Sequence, residues 1–268
     1  MKRGSVQSAP FTRGIPLLLI LLCLAPGQGL AGQAAGWPPA AATLLGACPG
    51  LEVKTFVPVG RGADPVDLTR SLPLTEGSWW NHHVLLFTGT GWIYLPAQYS
   101  ISGTQDMGGG VIASGLLSPD GETKWLGWSS LGLLFFGEEG EDWSSTHRLP
   151  LYYMYNSMAV GSACSGSTIV DIFNEPSHTF WDTGNRALSH TLLGVADVSI
   201  PGMGDFLGCP IFLFETTYSE PGYFYYGKGL MVYAPDVGLI YSKMFEIESE
   251  GTVHWDLYIS FLSGYHVE

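Results

Sequence analysis

Two acidic residues in the second half of the chain could do hydrolytic chemistry. Glu175 stands in Asn-Glu-Pro at the end of the apolar run IVDIF, and Asp182 stands in Asp-Thr-Gly. Glycoside hydrolysis with retention needs a second carboxylate about 5 Å from the first, and proton sharing between two aspartates needs a second aspartate. The sequence supplies each motif once. A hydrolase that uses Glu175 or Asp182 is therefore our alternative hypothesis for function and not the preferred one.

Both motifs resemble segments of known enzyme families. Asn-Glu-Pro is similar to the segment around the acid/base carboxylate of many retaining glycoside hydrolases, whose barrels alternate strands with helices. This chain has no alternating helical pattern, and the same tripeptide after an apolar strand is typical of a turn. Asp-Thr-Gly resembles the aspartic proteases, but Trp181 before it and Asn185 after it depart from that pattern. A homodimer would have to supply the second aspartate.

The cysteines and histidines form no metal-binding pattern. After removal of the leader described below, the cysteines are Cys48, Cys164 and Cys209, with no Cys-x-x-Cys spacing. Three cysteines permit at most one disulfide, and the sequence does not say which pair forms it. The neighbouring His82 and His83 would point to opposite sides of a strand. We expect no metal and no cofactor.

Tryptophans provide the candidate binding surface. Of nine tryptophans, Trp125 and Trp128 lie close together in KWLGW. Large aromatic side chains often fill the core of a half-open sheet, which explains most of the nine. We predict that Trp125 and Trp128 contribute to an apolar or carbohydrate-contacting groove.

The N-terminal segment is typical of a secretory signal peptide. Three basic residues precede the apolar run IPLLLILLCLA, and small residues follow it. The run is too short for a membrane-spanning helix, which needs about 20 residues. We predict a signal peptide at residues 1–31, a tether rich in Ala, Gly and Pro at 32–50, and one antiparallel β-domain at 51–268. Lipoprotein anchoring at Cys23 is not expected, because Leu22 precedes it where a small residue is needed.

The predicted mature chain is acidic. Three of the 11 basic residues lie in the leader, which leaves 8 basic against 24 acidic residues and a formal charge of −16. Nucleic acids and anionic membrane surfaces both attract clustered Lys and Arg, so this charge argues against them as partners. We expect an exported protein, periplasmic or extracellular, with no transmembrane helix in the mature chain.

The sequence of the domain predicts an all-β fold. Aromatic and β-branched runs are broken every 8 to 12 residues by Gly, Pro, Asn or Asp, which is typical of antiparallel strands. In TVHWDLYISFL, alternation predicts a buried face made of Val253, Trp255, Leu257, Ile259 and Phe261. We predict a single antiparallel meander sheet, either a curved half-barrel or a sandwich, with few short helices. One such helix is expected over residues 64–70, with Pro65 in its first position.

Three motifs resemble those of a group of exported bacterial proteins of uncharacterised function. The matching positions are Pro73, Leu74, Gly77 and Trp80; Val198, Ile200, Pro201, Gly204, Phe206 and Cys209; and Tyr233, Ala234, Pro235, Val237, Gly238 and Leu239. Asp197 replaces the usual Glu, Met203 is an additional residue, and Asp236 replaces the usual Gly. The resemblance implies an all-antiparallel envelope domain, similar to lipoprotein-carrier folds, with no chemistry to transfer.

These observations favour a non-enzymatic, exported protein with a binding or structural role in the bacterial envelope. A curved sheet with an apolar concave face could hold a lipid or another apolar ligand. A partner protein in the envelope is the other possibility that the sequence leaves open.

Overall fold

The computed structural model describes residues 50–57, 64–87, 91–249 and 253–268. They belong to one compact unit, Cys48–Glu268, and no helix occurs among them. The predicted signal peptide lies outside the described residues, as does the predicted tether except for Gly50. The strands are β1 (Glu52–Val57), β2 (Val66–Asp67), β3 (Trp79–Phe87), β4 (Trp92–Asp106), β5 (Ile112–Leu117), β6 (Thr123–Trp128), β7 (Gly132–Glu139), β8 (Trp143–Tyr155), β9 (Ser157–Met158), β10 (Ala163–Asn174), β11 (Thr179–Ile200), β12 (Gly204–Glu220), β13 (Tyr223–Ala234), β14 (Gly238–Ser249) and β15 (Val253–His266).

Twelve of these strands form a closed antiparallel sheet. β3 to β8 and β10 to β15 pair in chain order, and the last strand, β15, pairs with the first, β3. Ser260 and Val84 are backbone partners at this seam. Each strand of the ring has two hydrogen-bonded neighbours, so the ring presents no continuous open edge. β1 lies beside the C-terminal end of β11, where Glu52 pairs with Ser199.

The closure corrects the predicted fold. The all-β, antiparallel character is confirmed, but the predicted half-barrel or sandwich is wrong, because the sheet closes into a barrel of twelve strands. The physical reason is that alternation along a strand reports which face is apolar and not which strand lies beside it. The partners β3 and β15 come from opposite ends of the described sequence.

An apolar core fills the middle of the barrel. Inward positions alternate with outward ones along each strand, as in β11, where Leu188 and Leu192 both point inward. The core cluster contains Leu126, Leu133, Phe135, Leu151, Met154, Cys164, Leu188, Leu192, Phe212, Phe214, Met231, Tyr233 and Met244.

One end of the barrel is closed by residues 64–78, which we call the plug. Leu68 and Leu72 belong to the same apolar core cluster as the inward residues of the strands. The Leu68 backbone N–H donates to the carbonyl of Asn156 at 2.8 Å, and the Trp128 indole N–H donates to the carbonyl of Leu72 at 3.0 Å. The helix predicted over residues 64–70 is not formed, because β2 in this segment pairs with β9.

The turn between β13 and β14 packs against the plug. Asp236 has a positive φ of 61° and forms an ion pair with Arg70 of the plug. Its backbone N–H also donates to the Arg70 carbonyl at 2.8 Å. The Trp80 indole N–H donates to the carbonyl of Val237, and a Cβ at Gly238 would lie 3.2 Å from that indole nitrogen. Residues of the first and third sequence motifs therefore meet at the closed end.

Candidate functional site at the open end of the barrel

The interior of the barrel becomes polar towards the end opposite the plug. Inward positions there carry charged and phenolic side chains on the same strand faces as the apolar core. We call this space the lumen, lined on its polar side by Tyr99, Lys124, Glu138, Tyr153, Arg186, Tyr218, Tyr225, Glu246 and Tyr258.

Lys124 lies inside the ring of strands and is still accessible to solvent. It shares the inward face of β6 with Leu126 of the core. Its positive charge lowers the pKa of Glu138 on β7 and that of Glu246 on β14. Strand β14 lies almost diametrically opposite β6 in the ring. The Lys124 side chain is nevertheless 46% exposed. Solvent therefore reaches the interior of the barrel at this end.

Arg186 and Glu138 form a fixed ion pair on one wall of the lumen. Two N–H groups of Arg186 donate to the two carboxylate oxygens of Glu138, at 2.7 and 3.0 Å. The guanidinium carbon lies 5.3 Å from the centre of the Phe135 ring and 5.0 Å from that of Tyr218. Desolvation opposes the charge on Glu138, but Arg186 and Lys124 outweigh it and lower the pKa of Glu138 to about 2.

This arrangement leaves the ammonium group of Lys124 with weak protein contacts. Among the described residues, Glu138 is the one carboxylate within ion-pair range of Lys124, and the distance of 3.9 Å exceeds that of a hydrogen bond. Although desolvation lowers it, attraction by Glu138 keeps the pKa of Lys124 above its ordinary value. Lys124 is therefore a charged, accessible hydrogen-bond donor inside the barrel.

A second polar group on the far wall is built around Glu246. The hydroxyls of Tyr225 and Tyr258 donate to the same carboxylate oxygen of Glu246, at 2.7 and 3.0 Å. Burial raises the pKa of Glu246 above its ordinary value, although both hydroxyls act in the opposite direction. The neutral form of this carboxyl is therefore favoured more than that of a surface glutamate.

The lumen also has an apolar wall. Trp80 points into the barrel, and no bulge interrupts β3 between it and Leu86, so Val84 and Leu86 point inward as well. Their partners on β4 are Leu95 and Ile93, which are 44% and 47% exposed. Apolar side chains that face inward and stay exposed line an accessible space. The lumen is therefore amphipathic, with an apolar wall on β3 and β4.

His190 marks the boundary between the lumen and the plug. The ring is buried, with the rings of Tyr153, Phe214 and Phe212 at centroid distances of 4.3, 4.7 and 5.9 Å. Among the described residues, no group forms a hydrogen bond with either ring nitrogen. Desolvation lowers the pKa of His190 to about 3, so the ring is neutral. This apolar layer separates the solvent-accessible lumen from the closed end.

The two predicted catalytic acids lie apart: Glu175 is in a turn outside the lumen, and Asp182 is on the face of β11 that also carries Arg186. Glu175 stands in the turn after β10, where it accepts a hydrogen bond from the Ser144 hydroxyl at 2.6 Å and contacts the His178 ring nitrogen at 2.8 Å. These partners lower the pKa of Glu175, whereas a general acid needs a raised one. Asp182 lies on β11 opposite Ile172 and accepts a hydrogen bond from the next backbone N–H at 2.7 Å. Within the described part of the chain, no carboxylate is among the groups that shift the pKa of Glu175.

The two predicted binding tryptophans point in different directions. Trp128 packs against the core cluster and is held by the plug at Leu72. Trp125 is adjacent to Lys124 on β6 and therefore points to the outer face, where its ring approaches Gly115. The structure does not bring these two rings to one face. Ligand binding by either of them stays a prediction.

The described cysteines are buried free thiols. Cys164 belongs to the core cluster, and Cys209 is buried on β12. Burial raises the pKa of Cys164 to about 11 and that of Cys209 to about 12, so neither is a reactive thiolate. Cys48 lies outside the described residues. In the part of the chain that is described, no group of three or more His, Cys, Asp or Glu residues could hold a metal ion.

The lumen was not predicted from the sequence, because its polar residues come from nine different strands. The alternation in β15 did contain a signal. The polar face with Asp256 and Tyr258, opposite the face predicted to be buried, points into the barrel, as Tyr258 shows by donating to Glu246. The apolar face with Val253 and Trp255 points outward and is exposed at this end. The prediction that this apolar face is buried is therefore wrong at the open end.

Comparison with known proteins gives two similar solved structures. No protein-family model and no curated protein matches the sequence. A candidate exported protein with a YmcC-like fold from Bacteroides fragilis is 13% identical, with a TM-score of 0.43 over 73% of this chain and 98% of that chain. A candidate lipoprotein from Parabacteroides distasonis is 12% identical, with a TM-score of 0.38 over 75% of this chain and 100% of that chain. Within the described residues, no helix has the length and apolar character needed to cross a membrane.

Proposed function

We propose that this chain is an exported, non-enzymatic binding protein that holds a small ligand in the lumen of its barrel. The observation that supports the proposal is the exposure of Lys124, which is 46% accessible although groups on both sides of the ring surround it. A charged side chain stays solvated inside a closed sheet only where solvent fills the space beside it. A solvated space with a few convergent polar groups is the usual form of a small-ligand site.

The walls of the lumen support a ligand with an apolar part. An open, curved apolar sheet is not available in this fold, because the sheet closes and the core and plug fill its apolar middle. Ile93 and Leu95 offer apolar surface that remains accessible inside the open end. We therefore place the apolar ligand expected from the sequence in the lumen, against β3 and β4.

Export and membership of the exported bacterial group are part of this proposal. They are supported by the leader at residues 1–31 and by the three motifs. Motif residues Trp80, Val237 and Gly238 contact one another at the closed end. These motif residues thus account for the packing of the closed end. The lumen residues lie outside the motifs, so they can differ between proteins with different ligands.

Lysine acylation combined with native mass spectrometry tests the proposal. Lys228 is the matched control, because its side chain is 45% exposed on the outer face beside Glu215. In protein purified from its own host, we expect a bound ligand to protect Lys124 from acetic anhydride and to leave Lys228 reactive. After denaturation, ligand removal and refolding, both lysines should react to a similar extent. Equal reactivity before and after refolding, with no ligand mass in the native spectrum, would contradict a binding role.

A further inference from the structure

We infer that the ligand of the lumen is an amphipathic anion, with its acidic group paired to Lys124 and its apolar chain against Val84, Leu86, Ile93 and Leu95. This inference rests on the proposed function and names the class of ligand. A fatty carboxylate and an alkyl phosphate share this chemistry.

The contacts of Lys124 favour an anionic group beside it. Arg186 and Glu138 are paired through two short hydrogen bonds, at 2.7 and 3.0 Å, although the buried Nε of Arg186 has no hydrogen-bond partner among the described residues. On the far wall, Glu246 accepts hydrogen bonds from Tyr225 and Tyr258, and its strand partner Asp256 points into the barrel beside it. Lys124 has its nearest described carboxylate, Glu138, 3.9 Å away, and that carboxylate is already paired with Arg186. An acidic group in the lumen would give this ammonium the hydrogen-bonded counter-ion that it lacks among the described residues.

Tyr99 links the apolar wall of β4 with Lys124. Inward positions run from Ile93 at the open end through Leu95 to Tyr99, deeper in the barrel. Tyr99 is close enough to Lys124 for the lysine charge to affect the pKa of the phenol. Lys124 is the second residue of β6, whose other end, Trp128, contacts the plug, so the ammonium group belongs to the open half of the barrel as well. A molecule with an acidic head and an apolar tail can therefore contact Lys124 and the apolar wall at the same time.

The surrounding surface makes the site selective. Without the proposed leader the chain has a formal charge of −16, so the protein as a whole repels anions at long range. An anion bound at Lys124 must therefore gain its affinity from direct contact and from burial of an apolar tail. Small inorganic anions gain affinity only from direct contact with Lys124, because they have no apolar tail to bury. We expect inorganic phosphate to bind much more weakly than an anion that carries an alkyl chain.

Displacement of the neutral apolar dye Nile red tests this inference. The competing ligands are dodecanoate, dodecyl phosphate and 1-dodecanol, which share the same chain and differ in the head group. The wild-type protein should bind either anion at least about tenfold more tightly than the alcohol, because the ammonium group forms a charge-assisted hydrogen bond with an anion and a weaker one with a neutral hydroxyl. Preference for one anion over the other identifies the head group.

Substitution of Lys124 supplies the decisive comparison. Lys124→Met should lose the preference for the anions and keep its affinity for 1-dodecanol, whereas Lys124→Arg should keep the preference. Lys228→Met is the control on the outer face and should bind like the wild type. An unchanged anion preference in Lys124→Met, or equal affinity of the wild type for dodecanoate and dodecanol, would overturn the inference.

Two further readouts separate the possible failures. If Nile red and all three competitors fail to bind the wild-type protein, the proposed binding function itself is wrong. If Lys124→Met does not fold, the ionic-strength dependence of wild-type binding tests the inference instead. Salt weakens a contact between a lysine and an anion, so it should lower the affinity for dodecanoate and leave the affinity for 1-dodecanol unchanged. Dodecanoate binding that does not respond to salt would then overturn the inference.

Discussion

The pair of Arg186 and Glu138 shows how single residues position the site. Their side chains are 14% and 10% exposed, and each satisfies the charge of the other. The pair orders one wall of the lumen and keeps Glu138 from forming a closer contact with Lys124. A buried pair of this kind adds little stability relative to an apolar pair, but removal of one partner leaves a buried charge uncompensated.

We predict that Glu138→Gln lowers the free energy of unfolding at pH 7 by about 3 kcal/mol, because Arg186 keeps its charge and loses its counter-ion. The pKa of Glu138 falls from 4.5 to about 2 on folding. Its ionised form therefore stabilises the fold above pH 4.5, and this contribution is lost as the pH falls from 4.5 to about 2. The difference between wild type and variant should thus be smaller at pH 3, as measured by urea unfolding.

An exposed ion pair provides the control for this prediction. Arg148 donates to Asp171 through hydrogen bonds of 2.8 to 3.1 Å, but the arginine side chain is about half exposed. Asp171→Asn should cost at most about 1 kcal/mol. An equally small loss in Glu138→Gln at pH 7 would show that the buried pair is not formed.

At the scale of structural elements, the plug is the segment whose local sequence was most misleading. Asp64 and Pro65 are typical of a helix start, but the backbone of this segment pairs with the barrel at Asn156 and Ser157. The Asp67 carboxylate accepts hydrogen bonds from the N–H and hydroxyl of Thr69, which favours a turn there. Tertiary hydrogen bonds thus outweighed helix propensity over a few residues.

We predict that Leu68→Ala lowers the free energy of unfolding by about 3 kcal/mol, because Leu68 is fully buried at the junction of plug and core. Leu131→Ala is the matched control, since Leu131 is 64% exposed, and it should change stability by less than about 0.5 kcal/mol. Urea unfolding followed by tryptophan fluorescence measures both. Equal effects of the two substitutions would show that the plug does not pack in the barrel.

At the scale of the whole molecule, closure at the seam between β3 and β15 creates the site. In an open sheet, the inward face of β15 would lie on an exposed concave surface. Closure instead encloses Tyr258 and Glu246 in the lumen with Lys124 from the other side of the ring. The lumen therefore forms only when the whole ring of strands closes, and no single hairpin contains it.

We predict that the two introduced thiols form a disulfide in the double variant Val84→Cys/Ser260→Cys, because Val84 and Ser260 are direct backbone partners across the seam. Opposite residues in an antiparallel pair lie about 4.5–5.5 Å apart between Cα atoms, within the range of a disulfide. Val84→Cys/Ser242→Cys is the control, since β14 lies one strand further away and about 10 Å from β3. Alkylation and mass spectrometry of the oxidised proteins measure the bond. Its absence in the first variant would contradict a closed barrel.

The sequence predicted the strands well and the site poorly, and the reasons are physical. The β14–β15 hairpin was recognised because alternation in TVHWDLYISFL and the turn residues before it are local signals. Lys124 was overlooked, although it lies beside the predicted Trp125, because a single lysine in a strand has no local feature that separates a lumen from the outer surface. Glu175 and Asp182 were considered because of short motifs, but Glu175 lies in the turn after β10 and Asp182 lies on β11, so the structure does not bring them together as a catalytic pair.

The sequence alone determined the all-β, antiparallel character of the chain, because a period of two residues and its interruption by turn residues are encoded locally. The tertiary structure alone decided that β15 returns to β3, since strand pairing depends on contacts between segments far apart in the chain. That closure also decided which face of each strand is inside. Polar strand faces that would face bulk solvent in an open sheet line a solvated lumen in the closed barrel. Water is excluded only from the part of the interior that the plug and the apolar core fill.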